Sequence, residues 1–120
     1  MKPLGLHHVS INVRDVDEAL QFYREVLGLQ ERDDRPNFPF AGAWLDLGDQ
    51  QVHLLHKSVP EELGQHFAMV VEDLSASVAE LRAKGIEVTD PEPVGGNLQA
   101  FLHDPSGNRV ELQEVVTRKG

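Results

Sequence analysis

The sequence contains no cysteine. Disulfides and thiolate metal sites are therefore excluded, and any transition metal must be held by imidazole and carboxylate. Cations are scarce too: 11 Lys and Arg face 20 Asp and Glu, a formal net charge of −9. Nucleic-acid binding needs a basic stripe that displaces counterions from phosphates, and an anionic membrane surface attracts the same sign of charge. Neither partner is expected. A small anionic substrate stays open, because one local cation outweighs a diffuse field at short range. No apolar run approaches the length of a membrane span. The start, Met1-Lys2-Pro3-Leu4-Gly5, has no signal-peptide core. A cytoplasmic protein is the expectation.

What is present is a repeat. His8 to Val16 reads HVSINVRDV and His66 to Leu74 reads HFAMVVEDL. At this offset of 58, His8/His66, Val13/Val71, Asp15/Asp73 and Val16/Leu74 coincide in type. Leu27-Gly28-Leu29 answers Lys84-Gly85-Ile86 after a one-residue slip. Trp44-Leu45 then answers Phe101-Leu102, and Val52-His53-Leu54 answers Val110-Glu111-Leu112.

Each unit carries the same succession of periodicities. Leu6–Val13 alternates apolar and polar residues, the signature of a half-buried strand. Asp15 is the expected N-cap of a helix, with Glu18 completing a capping box. Val16, Ala19, Leu20, Tyr23, Val26 and Leu27 form a helical stripe that Gly28 ends. Strands are expected near Leu29–Asp33, Ala43–Leu47 and Gln51–His56. The second unit repeats this with a strand at Gln65–Val71 and a helix at Leu74–Ala83, capped by Asp73 and stopped by Gly85. Strands should follow near Ile86–Thr89, Leu98–His103 and Asn108–Gln113, the last two joined by the turn Asp104-Pro105-Ser106-Gly107. The reading is an α+β fold of two βαβββ modules, residues 1–58 and 65–116, in a single domain 1–120. Pro60–Gly64 is the expected link and Val115–Gly120 a frayed tail.

Strand parity then selects candidate metal ligands, because alternate side chains face opposite ways. His8 opposes Val9, Ile11 and Val13, and His66 opposes Phe67, Met69 and Val71. His53 sits between Val52 and Leu54, and Glu111 between Val110 and Leu112. If the apolar sets face the helices, His8, His53, His66 and Glu111 all lie on open faces. The separation is 45 residues within both pairs, His8 to His53 and His66 to Glu111. A lone strand histidine is more often hydrogen-bonded or solvated than a ligand; the joint, repeat-equivalent placement is what singles these four out. Three imidazoles and a carboxylate suit a divalent Zn, Ni, Mn or Fe ion.

By the same parity His7 and His56 fall on the wrong faces, and His103 answers Asp46 rather than a histidine. All three are expected to be structural or surface residues, His103 with a place on a cavity rim as its alternative. Ser10 and Asn12 share the face of His8 and are candidate substrate contacts, as is Lys57. The segment 32–40, with its prolines and mixed charge, reads as an irregular loop able to define a substrate. Arg32 or Arg35 is a candidate to grip an anion there, although a solvated charge cluster is the commoner outcome. Phe38 and Phe40 belong to that loop; core packing is the expected role of Trp44 and Phe101.

Four segments carry a family resemblance: Leu6-His7-His8-Val9, Phe22 to Leu29, Gly64-Gln65-His66-Phe67, and Asp104 to Leu112. Together they resemble the vicinal oxygen chelate superfamily of glyoxalases, bleomycin-resistance proteins and extradiol dioxygenases, most closely its glyoxalase I-like members. The resemblance implies a curved mixed sheet around a metal-binding cavity, and in members of this size a homodimer, often with both chains supplying ligands. Likeness to glyoxalase I implies a small substrate chelated through neighbouring oxygens, with Glu111 as ligand and proton-transfer base. Two departures stand out. Glyoxalase I proteins carry glutamate where this chain has His53, and a glutathione-binding arginine and asparagine where it has Asn12 and Lys57. Extradiol dioxygenases and fosfomycin-modifying transferases use two histidines and a glutamate, matching His8, His66 and Glu111. The expected function is a metal-dependent lyase or isomerase. The alternatives are a metal-free drug-binding resistance protein and an Fe(II) extradiol dioxygenase-like enzyme.

Overall fold

The computed structural model describes residues 1–116, and the chain divides into two compact units, Met1–Glu61 and Glu62–Gly120. The division falls inside the expected link. The first unit runs β1 (His8–Val13), α1 (Val16–Gln21), a π-helical segment Phe22–Val26, β2 (Gln30–Glu31), β3 (Gly42–Leu47) and β4 (Gln50–His56). Its sheet has the order β1-β4-β3-β2, with β1 parallel to β4 and the other pairs antiparallel. The second unit runs β5 (His66–Val70), α2 (Leu74–Ala83), β6 (Glu92–Val94), β7 (Asn97–His103) and β8 (Arg109–Glu114), in the order β5-β8-β7-β6. The expected α+β architecture and its repeat are both present. Among the described residues no helix is long and apolar enough to cross a membrane.

Local chemistry explains the helix ends. The Asp15 carboxylate accepts from Glu18 N–H and the Asp73 carboxylate from Ala76 N–H, both at 3.0 Å, satisfying donors that the helix itself cannot. Only half of the expected capping box forms, because the Glu18 carboxylate turns to Arg14 Nε at 2.9 Å instead. At the end of α2, Gly85 N–H reaches Arg82 O and Ile86 N–H reaches Leu81 O, each at 3.0 Å. That bond pair is the Schellman motif.

The one-residue slip in the repeat has a physical home. Asp15 to Gly28 is one residue longer than Asp73 to Gly85, and Leu27 N–H donates to Phe22 O at 3.1 Å, an i→i+5 bond that absorbs the extra residue. The slip is undone at the last hairpin. Asp46 pairs with Gln51 in the first unit, whereas His103 pairs with Arg109 across a connection one residue longer. Strands β4 and β8, which carry the candidate ligands His53 and Glu111, therefore return to the offset of 58.

Two expected strands need correction. Of Leu29–Asp33 only Gln30–Glu31 forms a strand, since Arg32 is drawn to Asp34 and Asp46, both at 2.7 Å, and the chain turns into the proline-bearing loop. Ile86–Thr89 forms none. Thr89 N–H donates to Phe101 O at 3.0 Å, but the Thr89 hydroxyl rather than its carbonyl accepts from Phe101 N–H at 2.9 Å, so no ladder propagates. The strand lies instead at Glu92–Val94, where Pro93 is tolerated at the sheet edge. Gly95-Gly96, both at positive φ, make the two-residue turn into β7. Of the expected tail, residues 117–120 lie outside the described residues.

Each helix covers one face of its own sheet. The first core gathers Val13, Ala19, Phe22, Tyr23, Leu45, Val52 and Leu54; the second gathers Met69, Leu74, Val78, Leu81, Ala100, Leu102, Val110 and Leu112. Asp104, only 5% exposed, anchors the β7–β8 turn by accepting from the N–H groups of Ser106 and Asn108 at 2.9 Å and from the Asn108 amide at 3.0 Å. Asp104→Ala should lower the urea-unfolding free energy by about 1–3 kcal/mol, because it removes three hydrogen bonds from half-buried donors. An unchanged midpoint and slope would show that the turn does not depend on the carboxylate.

Candidate metal centre and substrate pocket

In both units the first strand pairs in parallel with the last, and that pairing builds the site. Ser10 lies opposite His53 and Ala68 opposite Glu111, so His8 and His66 sit one step away on the same faces. On the other side of the central strand, Trp44 is in register with His53 and Phe101 with Glu111. Each unit thus presents a first-strand histidine, a central-strand histidine or glutamate and a third-strand aromatic.

The first unit stacks the three rings. His8 and His53 centroids are 3.9 Å apart with 15° between planes, and His53 and Trp44 are 4.3 Å apart with 8°. The expected open face is corrected here: His53 is 7% exposed, because a residue on a central strand has side chains on both flanks. Burial, then the neighbouring His8 and His7, and more weakly Arg32 and Arg35, hold His53 down from its ordinary 6.5 to about 4. It is neutral at pH 7. Gln51 Oε1 accepts from its Nε2 at 2.8 Å, which leaves the lone pair on Nδ1.

In the second unit His66 Nε2 lies 3.0 Å from Glu111 Oε1. His66 Nδ1 donates to Gly64 O at 2.8 Å, fixing the ring as an outer partner fixes a metal-binding imidazole. Gln113 Nε2 donates to Glu111 Oε2 at 3.2 Å, and Phe101 meets His66 edge-on with centroids 5.5 Å apart. Glu111 is 7% exposed, again corrected from an open face for the same reason as His53. Among the described residues no three His, Asp or Glu side chains gather as a group able to hold a metal; each unit offers a pair. The donor types fit a borderline divalent ion, with neutral imidazole on one pair and a held imidazole and buried carboxylate on the other.

The first unit also contains a pocket of about 300 Å³, lined by His7, His8, Ser10, Arg35, Phe38, Phe40, Trp44 and His53 among others. Three expectations change here. Trp44 is a pocket wall rather than core, since its pairing with His53 puts it on the ligand face. His7 lies outside β1, where strand parity does not apply, and its Nδ1 meets His8 Nδ1 at 2.8 Å. Arg32 and Arg35, alike in sequence, separate: Arg32 is tied to Asp34 and Asp46, while Arg35 enters the pocket.

Phe101 likewise lies beside His66, half-buried, with the Arg109 guanidinium 4.0 Å over its ring. Asn12 donates to Ser58 O at 2.8 Å, and Lys57 Nζ sits 4.6 Å over the Phe40 ring. His103 pairs with Glu62 at 3.2 Å and lines an open groove of about 690 Å³ with Arg82, Val88 and Phe101. That groove is larger than the pocket, but it does not contain the paired ligands.

Residues 5–112 match the Glyoxalase/Bleomycin resistance protein/Dioxygenase superfamily. The chain belongs to that superfamily. It is 32% identical to a "Probable lactoylglutathione lyase" of Synechocystis, covering 95% of this chain and 98% of that one. It is 34% identical to "Lactoylglutathione lyase GLX1" of Arabidopsis thaliana over 88% of this chain, but spans only 42% of that protein. Among solved structures, a glyoxalase-family protein of Bacillus anthracis superposes with a TM-score of 0.84 at 27% identity, covering 97% of this chain and 98% of that one. TnmS3, an antibiotic-binding protein of a Streptomyces species, shares the fold with a TM-score of 0.79 at 22% identity, over 97% and 99% of the two chains.

The His53 environment makes a pH prediction. Its folded-state value lies below the unfolded one, so its contribution to stability is complete above pH 6.5 and is lost as pH falls toward about 4. Metal-free protein should lose melting temperature across that window, and His53→Gln should flatten the loss. Parallel curves for parent and variant would contradict it.

Proposed function

We propose that this protein is a metal-dependent lyase or isomerase of the glyoxalase-like kind. The candidate ligands for a divalent ion are His8 and His53 in the first unit and His66 and Glu111 in the second, and the substrate is a small molecule with neighbouring oxygens. The observation that supports this reading is the repeated pair: a first-strand histidine beside a central-strand histidine or glutamate, at equivalent register in both units. The bound ion, one of Zn, Ni, Mn or Fe, would act as a Lewis acid toward those oxygens.

The chain's own part is proton handling and orientation. Glu111 is the proton acceptor, a buried carboxylate whose two oxygens are engaged separately by His66 and Gln113. His53, neutral at pH 7, donates a lone pair without first shedding a proton. With Asn12 turned to Ser58 and Lys57 over Phe40, a small substrate other than a glutathione adduct is the better fit. A homodimer in the cytoplasm is part of the same proposal.

A second reading has one observation in its favour. The pocket walled by Phe38, Phe40 and Trp44 is of the kind that holds a drug-like ring without chemistry, and TnmS3 shows that the fold serves antibiotic binding. Metal analysis separates the two. The parent, reloaded from a panel of divalent ions, should retain about one ion per chain. His8→Ala and Glu111→Gln should each weaken retention by more than the roughly 10–100-fold typical of losing an outer-shell partner. Zn or Ni would favour proton transfer, and Fe the dioxygenase-like alternative. No retention under any loading would sink the enzyme reading and leave the binder.

A further inference from the structure

In a chain of net charge −9 with 20 carboxylates, a well-held cation without a carboxylate partner needs an explanation. Arg35 is such a cation. Among the described residues no carboxylate pairs with it, whereas Arg32, three residues earlier, takes two. Nor is Arg35 loose on the surface. Its guanidinium lies 5.0 Å from the Phe38 ring centroid and 5.5 Å from that of Phe40, and Nη2 donates to Phe40 O at 2.9 Å. Beneath it is Gly42, where an added Cβ would stand 2.8 Å from Nη2 and would also strike the Leu54 carbonyl. Only glycine leaves that space. The loop and strand β3 therefore make a seat for a planar cation and aim it into the pocket shared with His8 and His53.

We infer that Arg35 is the specificity-determining residue of this pocket and selects a small carboxylate with a planar, apolar body. As a statement about the enzyme's substrate, this rests on the metal-centre reading above; as a statement about what the pocket binds, it does not. One Nη2 N–H is given to Phe40 O, and the other guanidinium N–H groups remain for an oxyanion. The aromatic walls shield that contact from water and accept a flat ring or conjugated chain. A monoanion rather than a phosphonate or phosphate dianion matches the single guanidinium among the pocket's lining residues. The pocket, at about 300 Å³, lies at the small end of ligand sites.

The sequence contains a single tryptophan, Trp44, and it lines this pocket, so its fluorescence reports occupancy directly. The experiment titrates the full chain with benzoate, benzamide and phenylphosphonate, first after chelation and then after metal reloading. Benzoate should change Trp44 emission saturably in both states, and benzamide should bind on the order of tenfold more weakly or worse. In Arg35→Gln, benzoate should fall to the level of benzamide while benzamide is unaffected. Equal binding of benzoate and benzamide by the parent overturns the inference without any variant. So does unchanged benzoate affinity in a folded Arg35→Gln, or tighter binding of phenylphosphonate than benzoate. Arg35-dependent benzoate binding in a chain that retains no metal would uphold the pocket and refute the metal-centre reading; metal retention without benzoate binding would do the reverse.

Discussion

The parallel pairing of the first strand of each unit with the last is the constraint on which the rest depends. It makes β4 and β8 central strands, flanked on both sides, and so buries the residues that carry the candidate chemistry. A parallel register of fixed parity also decides which side chains can meet across the sheet: the histidine of the first strand with His53 or Glu111, and the aromatic of the third strand on the other flank. Shifting either pairing by one residue would send ligand and aromatic to the helix side. The π-turn in the first unit and the longer β7–β8 connection in the second keep that register across two units of unequal segment length.

The two pairs are chemically unequal, and their surroundings differ accordingly. His53 is buried between two rings, and that burial, reinforced by neighbouring His8, keeps it neutral. His66 bridges a backbone carbonyl and a carboxylate. The two pairs therefore differ in kind, imidazole beside imidazole in one unit and imidazole beside carboxylate in the other. The asymmetry enters at one repeat position, histidine in one unit and glutamate in the other.

Much of this was legible in the chain. Asp15 and Asp73 announce helix starts, Gly28 and Gly85 announce their ends, and alternation in β1, β5 and the central strands fixes which residues share a face. Those signals are local, and the repeat doubles each of them. The errors arose where a partner distant in sequence decided the outcome. Thr89 lost its strand because its hydroxyl took the place of its carbonyl against Phe101. Pro93 and the Gly95-Gly96 turn carried the signal for the true strand, but edge placement alone makes a proline-bearing strand acceptable. Trp44 read as core because an aromatic between apolar neighbours usually is.

Local signals in the chain are enough to specify the α+β repeat, the helix limits, the parity of His8, His53, His66 and Glu111, and the superfamily, because each follows from periodicity, capping chemistry or motif within a short stretch of chain. Tertiary structure alone decided which of two similar arginines is spent on carboxylates and which is seated in a pocket. It also decided that His53 is buried between His8 and Trp44. Both outcomes depend on groups from separate strands meeting at contact distance, and neither the free energy of a charge nor that of a ring is set until its neighbours are in place.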